Sequence, residues 1–301
     1  MSLFKRLSHR LAAFGAIAAT ACGTAPAAEP RAASPALWKV ADADTTIYLF
    51  GTILLLPSGT KWRSAAFDKA VEGSDSLVIE TVIDETNPAA TVGELFKLAV
   101  SDKNLPPLAE RVKPGKRAAL ASAIAKSGIP AAAFDKLETW AAAFLLLGVQ
   151  FKDLGLDSGS GVETTLKKQF TDDGKTVGEL ETNAEQLGVF DTLSEPAQRE
   201  FLNSVLEDPA TMKVQFGGML DSWSRGDVAG IARSFNAELG EAPELMDALL
   251  ARRNVNWARW VKGRLDQPGT VMVAVGAGHL AGDQSVLSLL KKQGVTVTRV
   301  Q

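Results

Sequence analysis

The chain has 301 residues, of which 46% are hydrophobic and 22% charged, so it can bury the core of one large domain. Its formal net charge is −3 at pH 7, and losing Lys5, Arg6 and Arg10 with an export signal would make it −6. A chain this acidic, without a Lys/Arg-rich run, lacks the basic face that nucleic acid requires. We therefore exclude nucleic acid as a partner.

The N-terminus has the pattern of a bacterial secretory signal. A short basic segment, residues 1–10, precedes an apolar run from Leu11 to Ala21. This run is shorter than the roughly 20 residues of a membrane-spanning helix. We therefore expect an exported protein that contacts the membrane only through its signal or a lipid anchor.

Two cleavage points are open. Small residues at Ala25 and Ala27 favour an ordinary signal peptide at residues 1–27, whereas Cys22, the only cysteine, favours a lipoprotein signal at residues 1–21. The protein is accordingly expected to be periplasmic or lipid-anchored in the cell envelope. On either reading the folded part has no disulfide.

Beyond the signal, the Ala/Pro-rich residues 28–36 are predicted to be a tether, and residues 37–301 a single domain. Alternating helical and strand patterns predict an α/β (α+β) fold. It has a mixed sheet with an N-terminal hairpin, a large central helical insertion and a C-terminal strand–helix–strand unit. Strands are predicted at residues 37–40, 46–50, 76–80, 175–180, 270–275 and 295–300.

Helices are predicted between these strands. One begins after Ser64, which is a suitable N-cap, and a helical pattern runs over residues 91–155 with interruptions at prolines. Within it, Trp140 to Val149 is apolar on all sides, which predicts a central buried helix. Further helices are expected at residues 162–170, 184–264 and 284–293.

Four predicted strands end in residues that can carry chemistry: Gly51-Thr52, Glu80, Glu181 and the turn Gly276-Ala-Gly-His279. In open α/β sheets, ligands bind at the carboxyl ends of the strands. If these strands are parallel neighbours, the four clusters meet at one site.

His279 is the only histidine outside the export signal. Imidazole ligates metals and titrates near neutral pH, and Gly276 and Gly278 permit close backbone approach. The alternative is a histidine that only bonds a neighbouring carbonyl. Glu80 and Glu181 are candidate metal ligands or general bases, or else acids that end a strand in solvent.

Arg253 falls within the apolar stripe of a predicted helix, beside Leu249, Trp257 and Trp260. A guanidinium on an inward face needs a carboxylate or an anionic ligand, because burying it unpaired is costly. We predict an ion pair with Glu80 or Glu181. The alternative is an apolar stem that packs while the charged head reaches solvent.

Several ordered motifs resemble the TraB/PrgY/GumN family, which includes the Tiki proteins. They are Leu37-Trp-Lys-Val, Ile47-Tyr-Leu-Phe-Gly-Thr-Ile-Leu-Leu-Leu-Pro, Glu181-Thr-Asn-Ala-Glu-Gln-Leu, Arg253-Asn254-Val-Asn-Trp and Gly276-Ala-Gly-His-Leu-Ala-Gly. The resemblance implies two Gly-x-x-His motifs and, for Tiki-like members, a metal-dependent peptidase using those histidines and a glutamate. Carried over, the second histidine is His279 and the glutamate is Glu80, while Arg253 and Asn254 match a further motif.

The first motif departs from the family pattern. This chain has Gly51-Thr52-Ile53-Leu54, and leucine can neither ligate a metal nor transfer a proton. A divalent metal of unknown identity, held by His279 and Glu80, remains one hypothesis. With few nitrogen ligands such a site favours harder metals than zinc.

Two functions follow from these residues. One is a metal-dependent hydrolase or peptidase of the cell envelope whose catalysis is altered or lost, as in a pseudoenzyme. The other is a non-catalytic protein that binds a peptide, a glycan or a small molecule, with Gly51, Thr52, Glu181, Asn254, Gly276 and Gly278 as binding residues. The oligomeric state and the substrate do not follow from the sequence.

Overall fold

A computed structural model describes residues 33–57, 59–82, 93, 96–153, 156, 161–239 and 242–301. They belong to one compact unit, Ala32–Gln301. The predicted signal, both cleavage points and most of the tether lie outside the described residues. No helix within the described ranges is long and apolar enough to cross a membrane.

Six strands form one mixed sheet in the spatial order β4-β3-β5-β2-β1-β6. In chain order they are β1 (Leu37–Ala41), β2 (Thr45–Thr52), β3 (Ser76–Ile79), β4 (Thr176–Glu179), β5 (Gly269–Gly276) and β6 (Val297–Arg299). The predicted α/β class is therefore confirmed, with strand ends shifted by a residue or two.

The pairing confirms both predicted supersecondary units. Strands β1 and β2 pair antiparallel, as a hairpin requires. Strand β6 pairs antiparallel with β1, so it runs parallel to β5 in the same sheet, with β2 and β1 between them. The C-terminal strand–helix–strand unit is thus a crossover within one sheet.

Strands β4, β3, β5 and β2 are parallel neighbours. Their carboxyl ends consequently lie along one sheet edge. This arrangement meets the condition under which the four strand-end clusters form one site.

Helices occupy most of the remaining chain. The α-helices whose two ends both lie among the described residues are α1 (Ala65–Glu72), α2 (Arg117–Ser127), α3 (Ala131–Phe134), α4 (Thr139–Asp153), α5 (Val162–Asp172), α6 (Asn183–Asp191), α7 (Glu195–Val205), α8 (Pro209–Ser224), α9 (Val228–Leu239), α10 (Pro243–Met246), α11 (Arg252–Arg264) and α12 (Val286–Lys292). Ser64 caps α1 by accepting from the Phe67 N–H at 3.1 Å, as predicted.

Helices cover both faces of the sheet, so alternate side chains of its central strands pack into two separate cores. One core packs alternate strand residues such as Phe50 and Met272 against α1 and α5. The other packs Leu49 and Val273 against α11 and α12. Strands covered on both faces read as continuous apolar runs, as residues 271–275 do.

The prediction of a central buried helix at Trp140 to Val149 was wrong in part. Helix α4 covers this segment, but its core is a separate helical cluster with α2 and α7. Trp140 is buried, whereas Leu145 is 44% exposed. Apolar residues on all sides did not require burial on all sides, since one face of α4 lacks a covering element among the described residues.

Candidate functional site

The site lies at the carboxyl ends of the four parallel strands. Strand register places Thr52, the last residue of β2, opposite Gly276, the last residue of β5. Glu80 directly follows β3, and Glu181 follows β4 by two residues. The structure therefore brings the predicted strand-end residues to one edge of the sheet.

Glycines allow the backbones at this edge to approach closely. A Cβ atom on Gly51 would lie 3.0 Å from the Ala277 Cα, and one on Gly276 would lie 3.1 Å from Glu80 Oε1. A Cβ on Gly278 would lie within 3 Å of the Phe235 ring. The glycines of both motifs are thus needed for close contact rather than for a left-handed backbone.

Arg253 joins the two glutamates. Its Nη2 donates to Glu80 Oε2 at 2.7 Å and also to Glu181 Oε1, and its Nε donates to Glu181 Oε2 at 3.1 Å. The predicted ion pair with one of two glutamates is therefore a double pair. All three side chains are largely buried, at 10–15% exposure.

The local helix geometry aims Arg253 at the sheet edge. A π-helical turn, Asp247–Ala251, joins α10 to α11 just before this residue. Arg253 Nη1 donates to the Leu249 carbonyl in that turn at 3.1 Å, and the guanidinium stacks 4.6 Å above the Trp257 ring. Single π turns inside α-helices are frequent at functional sites.

His279 is 5% exposed, and both of its ring nitrogens have partners. Nδ1 lies 2.6 Å from Asn254 Oδ1, and Nε2 lies 3.1 Å from Arg253 Nη1. Asn254 donates its own amide to the Gln284 carbonyl at 2.8 Å, so its oxygen faces the imidazole. Because arginine can only donate, Nε2 accepts and Nδ1 carries the proton.

This arrangement makes His279 a neutral base at physiological pH. Burial, together with the charge of Arg253, lowers the pKa of His279 to about 4, against the opposing charge of Glu80. Its Nε2 lies 3.8 Å from Glu80 Oε1. The ring also packs 4.2 Å from the Trp257 ring.

Glu80 is held in its ionised form. Burial alone would raise its pKa, but positive charge at His279 and Arg253 and a 2.7 Å hydrogen bond from the Gly276 N–H lower it. Since His279 is neutral near pH 7, Arg253 supplies that charge there. Burial raises the pKa of Glu181 even though Arg253 opposes the shift.

Two members of the site were missed in the sequence. Glu163, at the start of α5, accepts from the Thr52 hydroxyl at 2.7 Å, and burial and the charge of Glu80 raise the pKa of Glu163 to about 7. Gln186, in α6, donates to Glu80 Oε2 at 3.1 Å and to Glu181 Oε1 at 3.2 Å. Gln186 belongs to the family motif Glu181-Thr-Asn-Ala-Glu-Gln-Leu. Glu163 is the second residue of α5, and no sequence pattern around it indicates a functional site.

Leu54 lies two residues beyond Thr52 with 61% of its surface exposed. Its apolar side chain adds nothing to the polar network. Every buried side-chain nitrogen or oxygen in the described part of the chain has a hydrogen-bond partner. The fully buried polar atoms of the site therefore all have partners within the chain.

The residues do not fit a divalent metal in this arrangement. Within the described ranges, no group of three or more His, Cys, Asp or Glu side chains is placed to hold one. The acceptors on Glu80, Glu181 and His279 that would ligate a metal point instead at Arg253.

A family model for the TraB/PrgY/gumN family matches residues 36–299. The chain belongs to this family. The match spans the whole described sheet and includes every residue of the site. Neither a curated protein nor a solved structure matches the chain.

Proposed function

We propose that the chain is an exported cell-envelope member of the family that has lost two-histidine, metal-dependent hydrolysis. The crevice at the carboxyl ends of strands β4, β3, β5 and β2 would instead bind a peptide, a glycan or a small molecule. Export is supported by the N-terminal signal pattern, and the crevice by the convergence of four strand ends.

Leu54 carries this proposal. It stands where the resemblance places the first histidine, it is exposed, and the chain's only other histidine besides His279 is His9 in the predicted signal. A second imidazole ligand therefore cannot come from elsewhere in the mature chain.

Hydrolysis assays test the loss of catalysis. Purified wild-type chain is incubated with a mixed peptide library in Mn²⁺, Co²⁺ or Zn²⁺, beside the His279→Ala variant. We expect no cleavage above that of the variant. Metal-dependent cleavage that disappears in His279→Ala would overturn the proposal.

A thermal-shift screen of peptides, oligosaccharides and metabolites tests binding. Compounds that stabilise the wild-type chain through the crevice should lose their effect in Glu163→Gln. The same compounds should keep their effect in Glu200→Gln, a variant that alters an exposed ion pair between Glu200 of helix α7 and Lys113. A screen in which every stabilising compound acts equally on both variants would count against a crevice site.

One observation favours a second candidate, hydrolysis without a metal. Glu80 is ionised whereas Glu163, beside Thr52, holds its proton to about pH 7, and two carboxyl groups with separated pKa values suit a base and an acid. Glu80 would take a proton from water as the water oxygen bonds to the scissile carbon, and Glu163 would protonate the leaving group as its bond to that carbon breaks. Cleavage that persists in EDTA and is lost in both Glu80→Gln and Glu163→Gln would favour this candidate.

A further inference from the structure

We propose that Arg253 is the resident cation of this site, so that its guanidinium takes the place a divalent metal would need among Glu80, Glu181 and His279. The inference rests on the proposed loss of metal-dependent hydrolysis and deepens it by naming the group that fills the cation position. Restoring histidine at Leu54 would then be insufficient to restore metal binding.

The contacts of the guanidinium are those a metal would make. Arg253 engages Glu80 Oε2 at 2.7 Å, both oxygens of Glu181, and His279 Nε2 at 3.1 Å. Two carboxylates and one neutral imidazole nitrogen are ordinary ligands of a divalent ion. A metal could use these lone pairs only if Arg253 released them.

Arg253 is also held where it is. Its guanidinium lies 4.6 Å from the centre of the Trp257 ring, its Nη1 donates to the Leu249 carbonyl, and its side chain is 11% exposed. A guanidinium is charged at any physiological pH, and two carboxylates balance its charge here. A dication beside this buried charge would be repelled as well as deprived of ligands.

The other residues remain poised for a cation. Asn254 accepts the Nδ1 proton of His279, which leaves the Nε2 lone pair to accept from Arg253, at 3.8 Å from Glu80 Oε1. Removing the guanidinium would leave two carboxylates with no neutralising charge. A hard divalent cation such as Mn²⁺ is suited to replace it.

The experiment is a calorimetric Mn²⁺ titration of the full chain, wild type against Arg253→Ala and Arg253→Met. We expect the variants to bind Mn²⁺ at least about tenfold more tightly than the wild type, a change within the range seen when groups around metal ligands are altered. The gain should disappear in Arg253→Ala/His279→Ala and in Arg253→Ala/Glu80→Gln. Wild-type binding as tight as that of the variants, or a gain that survives loss of His279, would overturn the proposal.

Folding of the variants is followed by thermal melting with and without Mn²⁺. Met replaces the guanidinium with a flexible apolar side chain that can still fill space beside Trp257, so comparing it with Ala separates loss of charge from loss of packing. A variant that melts early and is restored by Mn²⁺ supports the proposal, and failure of both variants to fold even with Mn²⁺ contradicts it. Because hydrolysis by the wild-type chain is measured separately, failure here leaves the proposed function standing.

Discussion

Arg253 donates to the Nε2 atom of His279 across 3.1 Å, so the one imidazole of the site meets a permanent cation. A protonated ring could not accept this hydrogen bond. The contact therefore couples the protonation of His279 to the packing of the site, and four predictions follow from the residues around it.

His279 should make the fold acid-sensitive. Its pKa is lowered from 6.5 to about 4 in the folded state, so the unfolded chain binds the proton first as pH falls. This stabilisation is complete above pH 6.5 and is lost as pH falls through 4, by up to roughly 3 kcal/mol. Urea denaturation of the wild type and His279→Gln between pH 7 and 4 measures it, and equal slopes for the two proteins would refute it.

Glu163 should act in the opposite direction. Its pKa is raised from 4.5 to about 7, so the folded state keeps a proton that the unfolded chain has released. The stabilising contribution is complete below pH 4.5 and is lost as pH rises through 7. Glu163→Gln should therefore exceed the wild type in stability at pH 8 by on the order of 1 kcal/mol, allowing for partial solvent exposure.

The check on Glu163 is the difference between the two proteins at pH 8 and at pH 4. The difference in free energy of unfolding should be smaller at pH 4, where the wild-type carboxyl is largely protonated in both the folded and the unfolded chain. Thr52→Val removes the hydroxyl that donates to Glu163 at 2.7 Å and should raise the pKa further. If the difference in free energy of unfolding between Glu163→Gln and the wild type does not change with pH, the pKa of Glu163 is not raised in the folded state.

Asn254 and Arg253 together should determine which nitrogen of His279 carries the proton. Nitrogen NMR of the imidazole should show protonated Nδ1 and unprotonated Nε2 in the wild type. Asn254→Asp places a carboxylate at Nδ1 and should raise the pKa of His279. Arg253 still donates to Nε2 in Asn254→Leu, so this variant should keep the tautomer, whereas Asn254→Leu/Arg253→Met should leave the tautomers mixed. In the full chain, His9→Gln identifies the second histidine signal, and an unchanged tautomer in the double variant would exclude this role.

Gly51 should tolerate no side chain. A Cβ there would lie 3.0 Å from the Ala277 Cα, a backbone atom that cannot rotate away. We expect Gly51→Ala to lower the free energy of unfolding by about 1–3 kcal/mol. Gly217→Ala is the matched control, because this glycine in α8 has open space around it and alanine there should stabilise the helix by up to about 1 kcal/mol.

Denaturant melts of both glycine variants provide the measurement. Equal destabilisation at the two positions would mean that the effect does not come from the close contact at Gly51. A decrease in the free energy of unfolding that occurs in Gly51→Ala and not in Gly217→Ala supports the close contact between β2 and the turn that carries His279.

Local patterns in the sequence were sufficient to predict the strands and the crossover. Strands buried on both faces are written as continuous apolar runs, as at residues 270–275, and their acidic or glycine ends are visible without a structure. The same patterns predicted that Glu80, Glu181 and His279 would converge, provided their strands were parallel neighbours. Their order in the sheet, β4-β3-β5-β2, depends on contacts between residues that are 100 to 224 positions apart in the chain.

The motifs and the inward position of Arg253 were determined by the sequence itself, because both are matters of residue type and helical spacing. Only the tertiary structure decided that Arg253 binds both glutamates and His279 together, and that Glu163 belongs to the site. The reason is physical: the charge state of a buried group depends on which distant groups surround it, and periodicity along one helix carries no information about the neighbouring elements.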